Sequence, residues 1–172
     1  MLMRSSPQQG GDMQKNDKVL LERTQKVAKA IRKEESGEKT PFLVFEVNEK
    51  LFAIPNDDIL IITTGNIMRA LERIDEPFTG IVNLKGYVYN VLDLNLFFKH
   101  ADTRDDKNLI FLKKYYIAFC FDIIMDTLGV PAKEIMRIDT PEIPFIGSFF
   151  KRFGKEIYII DVRKMYETYA GS

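Results

Sequence analysis

Pro77-Phe78-Thr79-Gly80, then Lys85-Gly86, then Val91-Leu92-Asp93-Leu94 is a stretch that the chain repeats as Pro144-Phe145-Ile146-Gly147, Arg152, Gly154 and Ile159-Ile160-Asp161-Val162. Pro, Phe and Gly recur at one offset, and the later Gly and Asp recur one residue further on, so a single inserted residue aligns both copies. Two copies are fewer than the roughly three a solenoid must stack. The repeat therefore predicts paired, similar subdomains that share a core.

Working outward, the apolar pattern falls into short bursts: Phe42–Val47, Leu51–Ile54, Ile59–Thr63, Gly80–Leu84, Tyr87–Leu92, Leu109–Leu112, Tyr115–Phe121, Ile135–Ile138, Phe145–Phe150 and Ile157–Ile160. They are rich in β-branched and aromatic residues, and Asn48-Glu49, Lys113-Lys114 and Gly154-Lys155 fall where tight turns belong. The reading is an all-β fold of two similar five-stranded β-barrels packed around a shared hydrophobic core, with closure removing the sheet edges. Asp93 and Asp161 each end a strand just before a short helical piece, so each carboxylate is expected to cap the following turn. The second of these pieces predicts a short C-terminal helix. Asn66–Ile74 also reads as helical, because Ile67, Leu71 and Ile74 are spaced for one face.

Ahead of the strands, residues 1–16 are rich in Gln, Gly and Ser and read as a disordered tail. From Asp17 to Glu35, Leu20, Val27 and Ile31 recur at helical spacing among Lys, Arg and Glu, which predicts an amphipathic N-terminal helix capped by Asp17. Ser36-Gly37-Glu38-Lys39-Thr40-Pro41 breaks it. Met1–Gly11 lacks the apolar run of a secretory signal and no stretch is long and apolar enough to span a bilayer, so a cytoplasmic protein without membrane insertion is expected.

Chemistry is sparse. The formal net charge is zero, which supplies no basic field for a phosphate backbone. The one histidine, His100, sits in a polar loop, and the one cysteine, Cys120, sits in the apolar run Ile117–Phe121, so neither a zinc cluster nor a Cys-His nucleophile pair is expected. No glycine-rich phosphate loop is present, and Asp57-Asp58 and Asp105-Asp106 are local pairs without a calcium-loop spacing. The composition thus predicts no enzyme, no catalytic residues, no metal and no cofactor. The alternative is a β-barrel that binds single-stranded nucleic acid on Tyr87, Tyr89, Tyr115 and Tyr116 as a stacking platform.

Phe42-Leu43-Val44-Phe45, Phe52-Ala53-Ile54-Pro55 and the run from Gly80 through Asn83-Leu84-Lys85-Gly86 to Asp93-Leu94 resemble the CheW family of chemotaxis coupling proteins, over roughly residues 41–168. The resemblance implies two five-stranded barrels, no catalytic activity, and a cytoplasmic adaptor recruited to membrane-associated receptor arrays. Its implied partners are a CheA-type histidine kinase and the cytoplasmic hairpin of a methyl-accepting chemoreceptor, with no nucleic acid. The residues it assigns to receptor or kinase binding are Ile59, Gly80, Asn83, Lys85 and Gly86. On this reading residues 1–40 are tail and leader helix, and 41–172 are the CheW-like domain. Its subdomains lie near 41–100 and 107–168, and a strand exchange between them stays open. The chain departs from the family where Lys85 replaces an arginine, Asn90 a proline and Ile61 a glutamate. A lysine is a point charge that cannot make the bidentate pair of a guanidinium.

Overall fold

A computed structural model describes residues 37–70, 72, 77–98 and 106–169. The expected helix over Asp17–Glu35 and the loop holding His100 lie outside the described residues. Lys39–Ser172 forms one compact unit. Its strands are β1 (Lys39–Val47), β2 (Lys50–Pro55), β3 (Ile59–Ile67), β4 (Arg69–Ala70), β5 (Phe78–Leu84) and β6 (Tyr87–Leu92), then β7 (Asp106–Leu112), β8 (Ile117–Phe121), β9 (Ile123–Pro131), β10 (Met136–Arg137), β11 (Ser148–Arg152) and β12 (Lys155–Ile159). Helix α1 (Val162–Tyr169) follows.

The strands form two six-stranded sheets with orders β9-β1-β2-β12-β11-β10 and β3-β7-β8-β6-β5-β4. Both follow one recipe. Each takes the first hairpin of one half of the chain (β1-β2 or β7-β8) and inserts it between the third and sixth strands of the other half. The junctions β12–β2 and β6–β8 are the parallel pairings, and the remaining ladders are antiparallel. A whole hairpin is therefore exchanged between the halves. The outer strands of the second sheet, β3 and β4, are separated in sequence only by Met68, so the sheet rolls until its two ends meet along the chain. Among the described residues no ladder joins those ends, and in the first sheet the outer strands β9 and β10 are linked through Ala132–Ile135, so each expected barrel is seen as a six-stranded sheet whose outer strands are joined by chain and not by hydrogen bonds.

Three apolar cores follow from the alternation of side chains across a strand. On β1, Phe42 and Val44 point into the first sheet's interior with Phe150 and Ile157. Leu43, Phe45 and Val47 point the other way, into a shared middle core with Phe52, Phe78, Phe119, Phe145 and Met165. On β7, Leu109 and Phe111 fill the second sheet's interior while Ile110 and Leu112 join the middle. Burial on both faces explains why these strands read as unbroken apolar runs. Phe78 and Phe145, the repeated phenylalanines, both lie in the shared core. Cys120 is buried in the second sheet's interior.

The expected caps form. Asp93 Oδ1 accepts from the Asn95 amide at 2.9 Å, and Asp161 Oδ1 accepts from the Lys164 amide at 3.0 Å. Their amides donate in turn to the carbonyls of Pro77 and Phe145, residues of the two repeated motifs.

Several boundaries differ from the sequence reading. Asn66–Ile74 is not helical where described: β3 runs through Ile67 and β4 covers Arg69–Ala70. Ile67 is 87% exposed, while Leu71 and Ile74 lie outside the described residues. Strand β9 was not expected, because Asp126, Gly129 and Pro131 look like breakers. Among the described residues it is an edge strand paired only with β1, a place where Gly and Pro are tolerated. The segment after Pro144 forms a turn, with the Ile146 amide donating to the Ile143 carbonyl, and β11 starts only at Ser148.

The turns also move. The pairs with left-handed φ are Asn48-Glu49 (51° and 64°), Lys85-Gly86 (51° and 89°), Tyr115-Tyr116 (73° and 50°) and Phe153-Gly154 (58° and 69°). Two consecutive left-handed residues make the type I′ geometry whose twist matches a hairpin. Tyr115-Tyr116 and Phe153-Gly154 thus replace the expected Lys113-Lys114 and Gly154-Lys155. The ring of Tyr115 stacks on Tyr166 of α1 with centroids 4.2 Å apart, a contact with a distant element that a local scan for polar turn residues does not see.

Candidate functional site

Three of the five expected site residues meet at the β5–β6 turn. Asn83 is exposed at the end of β5, and its Oδ1 accepts from the Gly86 amide at 3.0 Å across the turn. That bond braces the loop from below. Gly86, at φ 89°, holds a conformation that favours glycine, and Lys85, at φ 51°, is carried at the tip with its side chain exposed. The β-hairpin therefore presents one long cation on a short, rigid mount.

Gly80 and Ile59 are placed differently. Gly80 is buried in β5 opposite Ala70, and a Cβ there would collide with the Arg69 carbonyl oxygen and stand 3.0 Å from Met68 Cγ. Its lack of a side chain lets β4 lie on β5. Ile59 begins β3, pairs with Leu112 and packs half-buried against the shared core. Two strands, β7 and β8, separate it from β6, yet it lies at the same end of the sheet as the turn. Leu112 ends β7 just before the bend at Lys113-Lys114, and β8 then starts alongside Asn90.

Between these two places lies an aromatic surface. Tyr87 and Tyr116 are 59% and 54% exposed and stack with centroids 6.0 Å apart. Tyr116 also touches Tyr89 at 5.6 Å, and Tyr89 meets Phe111 edge-on at 4.9 Å, which roots the exposed pair in the interior. The four tyrosines do not form one platform: Tyr89 is buried and Tyr115 is taken up by Tyr166. That removes the continuous row of open rings on which the single-stranded nucleic-acid alternative rested.

Beyond Ile59 a groove of about 600 Å³ is lined by Asp57, Asp58, Lys113, Lys114, Asp161 and Arg163 along with apolar residues. Burial pushes the Asp58 carboxyl up from its ordinary range; Asp57 and Asp161 add to this, and Lys114 and Lys113 work against it. Leu60, Ile61 and Ile62, which follow Ile59 in β3, are exposed. Sequence reasoning took only Ile59 from this strand, although an uncharged apolar run from Ile59 to Ile62 was the available signal. Among the described residues no three His, Cys, Asp or Glu side chains are placed to hold a metal ion, and no helix is long and apolar enough to cross a membrane.

The second sheet thus carries a braced, exposed cation at the β5–β6 turn and a stacked pair of open rings, Tyr87 and Tyr116, at the same end. The profile of the CheW-like domain matches residues 41–169, and the chain belongs to that family. Among solved structures it is similar to the scaffolding protein TtCheW from Thermoanaerobacter tengcongensis, at 20% sequence identity and a TM-score of 0.62, over 71% of this chain and 88% of that one. No curated protein sequence matches.

Proposed function

We propose that this protein is a non-enzymatic adaptor that couples the cytoplasmic hairpin of a methyl-accepting chemoreceptor to a CheA-type histidine kinase, in the cytoplasm at membrane-associated arrays. Residues 41–172 serve as the docking domain, with subdomains near 41–100 and 107–168, and residues 1–40 as its leader. The observation that carries the reading is the Lys85 turn: an exposed cation held by the Asn83–Gly86 bond on a CheW-like fold. Asn83 and Gly86 act by shaping the turn and Lys85 by reaching a carboxylate or carbonyl of the partner. Gly80 supports the strand beneath, and Ile59 contributes the apolar side of the surface. Nucleic acid is not a partner in this reading.

The test is co-sedimentation with receptor and kinase membranes from the same cell. Lys85→Glu is expected to weaken receptor association by about tenfold, the scale of one charge-assisted contact reversed, with the melting temperature unchanged. Lys85→Arg retains or tightens association because the guanidinium adds a second parallel donor. Wild-type protein that stays in the supernatant with every receptor and kinase combination rejects the adaptor reading. Equal affinity for Lys85→Glu removes Lys85 from the site.

A further inference from the structure

The turn between β11 and β12 carries Phe153 at its tip, 64% exposed and at φ 58°. Both features are unfavourable for a phenylalanine. A large ring in water gains nothing for folding, and a bulky side chain with left-handed φ is a backbone outlier that a type I′ turn avoids by using Asn. The fold does not ask for it, since the equivalent turn of the other sheet uses Lys85. Flanking it are exposed Lys151 and Lys155, while Arg152 is taken up by an ion pair with Glu134. The tip is therefore an apolar ring between two lysines.

A groove of about 710 Å³ adjoins this turn, and Lys155 itself lines it. Its apolar wall includes Phe52, Phe149 and Tyr158, with Phe149 and Phe52 each 6.3 Å from the Tyr158 ring, and Ile143 and Ile146 line it as well. Three carboxylates, Glu49, Glu142 and Glu156, stand on it against two lysines, Lys50 and Lys155. In the second sheet the positions corresponding to Lys155 and Glu49 are Tyr87 and Tyr116, whose stacked rings occupy the corner.

We propose that this face joins two copies of the chain, each inserting Phe153 into the aromatic groove of the other. Three features single out a second copy as the occupant. The groove is lined by aromatic and aliphatic side chains that suit a phenyl ring, and it has room for one. Lys155 belongs to both the tip and the groove rim; leaving it out, three carboxylates (Glu49, Glu142 and Glu156) stand against one lysine (Lys50), a surplus of negative charge that complements Lys151 and Lys155 beside Phe153. Tip and groove are also neighbours on one molecule, so a twofold axis beside them satisfies both insertions at once and closes the assembly as an isologous dimer. Two aromatic anchors with a small polar rim fall below a standard interface, so the dimer is weak, with a dissociation constant on the order of micromolar. The inference is independent of the adaptor reading, because it concerns a different sheet and a different partner.

Sedimentation velocity on the full chain, from about 1 µM to about 1 mM, tests it. The wild type is expected to pass from monomer to dimer over this range, without larger species. Phe153→Asn is expected to weaken dimerisation at least about tenfold while folding normally, since Asn-Gly suits the turn. Glu142→Lys is expected to weaken it by a smaller factor that shrinks with added salt. Met125→Lys, on the exposed β9 edge, is expected to leave it unchanged. A wild type that stays monomeric throughout overturns the proposal. So does a dimer indifferent to Phe153→Asn, or one that Met125→Lys dissociates, which would place the contact on a strand edge, or a ladder of higher oligomers, which would mean the contact does not close.

Discussion

The β5–β6 and β11–β12 turns are the same device built twice and used differently. Each ends a strand pair with a left-handed residue followed by a glycine, Lys85-Gly86 in one sheet and Phe153-Gly154 in the other. Each stands on a shared core to which both halves contribute. The repeated glycines supply what the backbone needs, and the residue before each glycine is left open to selection by whatever lies outside the fold. One carries a cation and the other an exposed ring. A duplicated fold thus retains two matching mounts and can dedicate them to different partners.

The comparison can be broken most forcefully at its common foundation. Phe52 of β2 and Phe119 of β8 occupy equivalent places in the two exchanged hairpins, and both are buried in the middle core. Phe52→Ala and Phe119→Ala should each cost about 3–5 kcal/mol, the range for a truncated core phenylalanine. Because each hairpin is inserted into the sheet of the other half, either loss should appear as one unfolding transition. Denaturant melts followed by tyrosine fluorescence and by far-ultraviolet circular dichroism check this. Two separated transitions would show that the halves fold independently.

The glycines that open the two repeats sharpen the comparison at the next level. Gly80 and Gly147 are identical in the motif, yet a Cβ on Gly80 meets the backbone of Arg69, whereas one on Gly147 has nothing within 4 Å. Gly80→Ala should therefore cost about 1–3 kcal/mol, as in overpacking against a backbone that cannot yield. Gly147→Ala should be close to neutral or slightly stabilising. Thermal melts of both variants decide the matter, and equal effects would mean that β4 is not held against β5 as described.

This difference shows what the sequence makes legible and what it leaves out. The repeat is readable because the shared core needs Phe78 and Phe145 and the following turns need Asp93 and Asp161, so the same side chains recur. The central strands are readable because burial on both faces leaves unbroken apolar runs. Strand β9 is not, since an edge accepts Gly129 and Pro131 and so looks like a loop. The exchange of hairpins is also not legible, as pairing between β1 and β9 or β3 and β7 is fixed by contacts far apart in the chain, with no local signature. At the candidate site, the Asn83-Leu84-Lys85-Gly86 motif points to its own turn. Phe153 escapes because aligning the motifs by identity sets Arg152 against Lys85, and only the ladders show that Leu84 and Arg152 both close their hairpins one residue earlier. An aromatic residue directly before a turn glycine, between basic residues, was the signal to follow.

The smallest expected effect lies where the two halves cease to match. Between β2 and β3 the first half has a short helical turn, Asn56–Asp58, while the second half passes from β8 to β9 through Asp122 alone. Asp58 sits in that added turn facing Asp57, Asp161, Lys113 and Lys114, and its carboxyl titrates above its ordinary range chiefly because of burial. A raised native pKa means that the folded chain holds the proton after the unfolded chain has released it. Stability is then lost as pH rises from the ordinary carboxylate range through the raised value, and the penalty stays constant above it. Asp58→Asn removes the charge but keeps the backbone carbonyl that accepts from the Lys113 amide at 2.9 Å. The variant should melt at a slightly higher temperature than the wild type at neutral pH, and the gap should close below the ordinary carboxylate range, where the wild-type group is protonated in both states. A melting curve at several pH values checks both parts. A gap that is reversed at neutral pH would mean that Lys113 and Lys114 outweigh burial, and the groove around Asp58, to which both halves contribute, would then be a stabilising charge cluster and not a strained one.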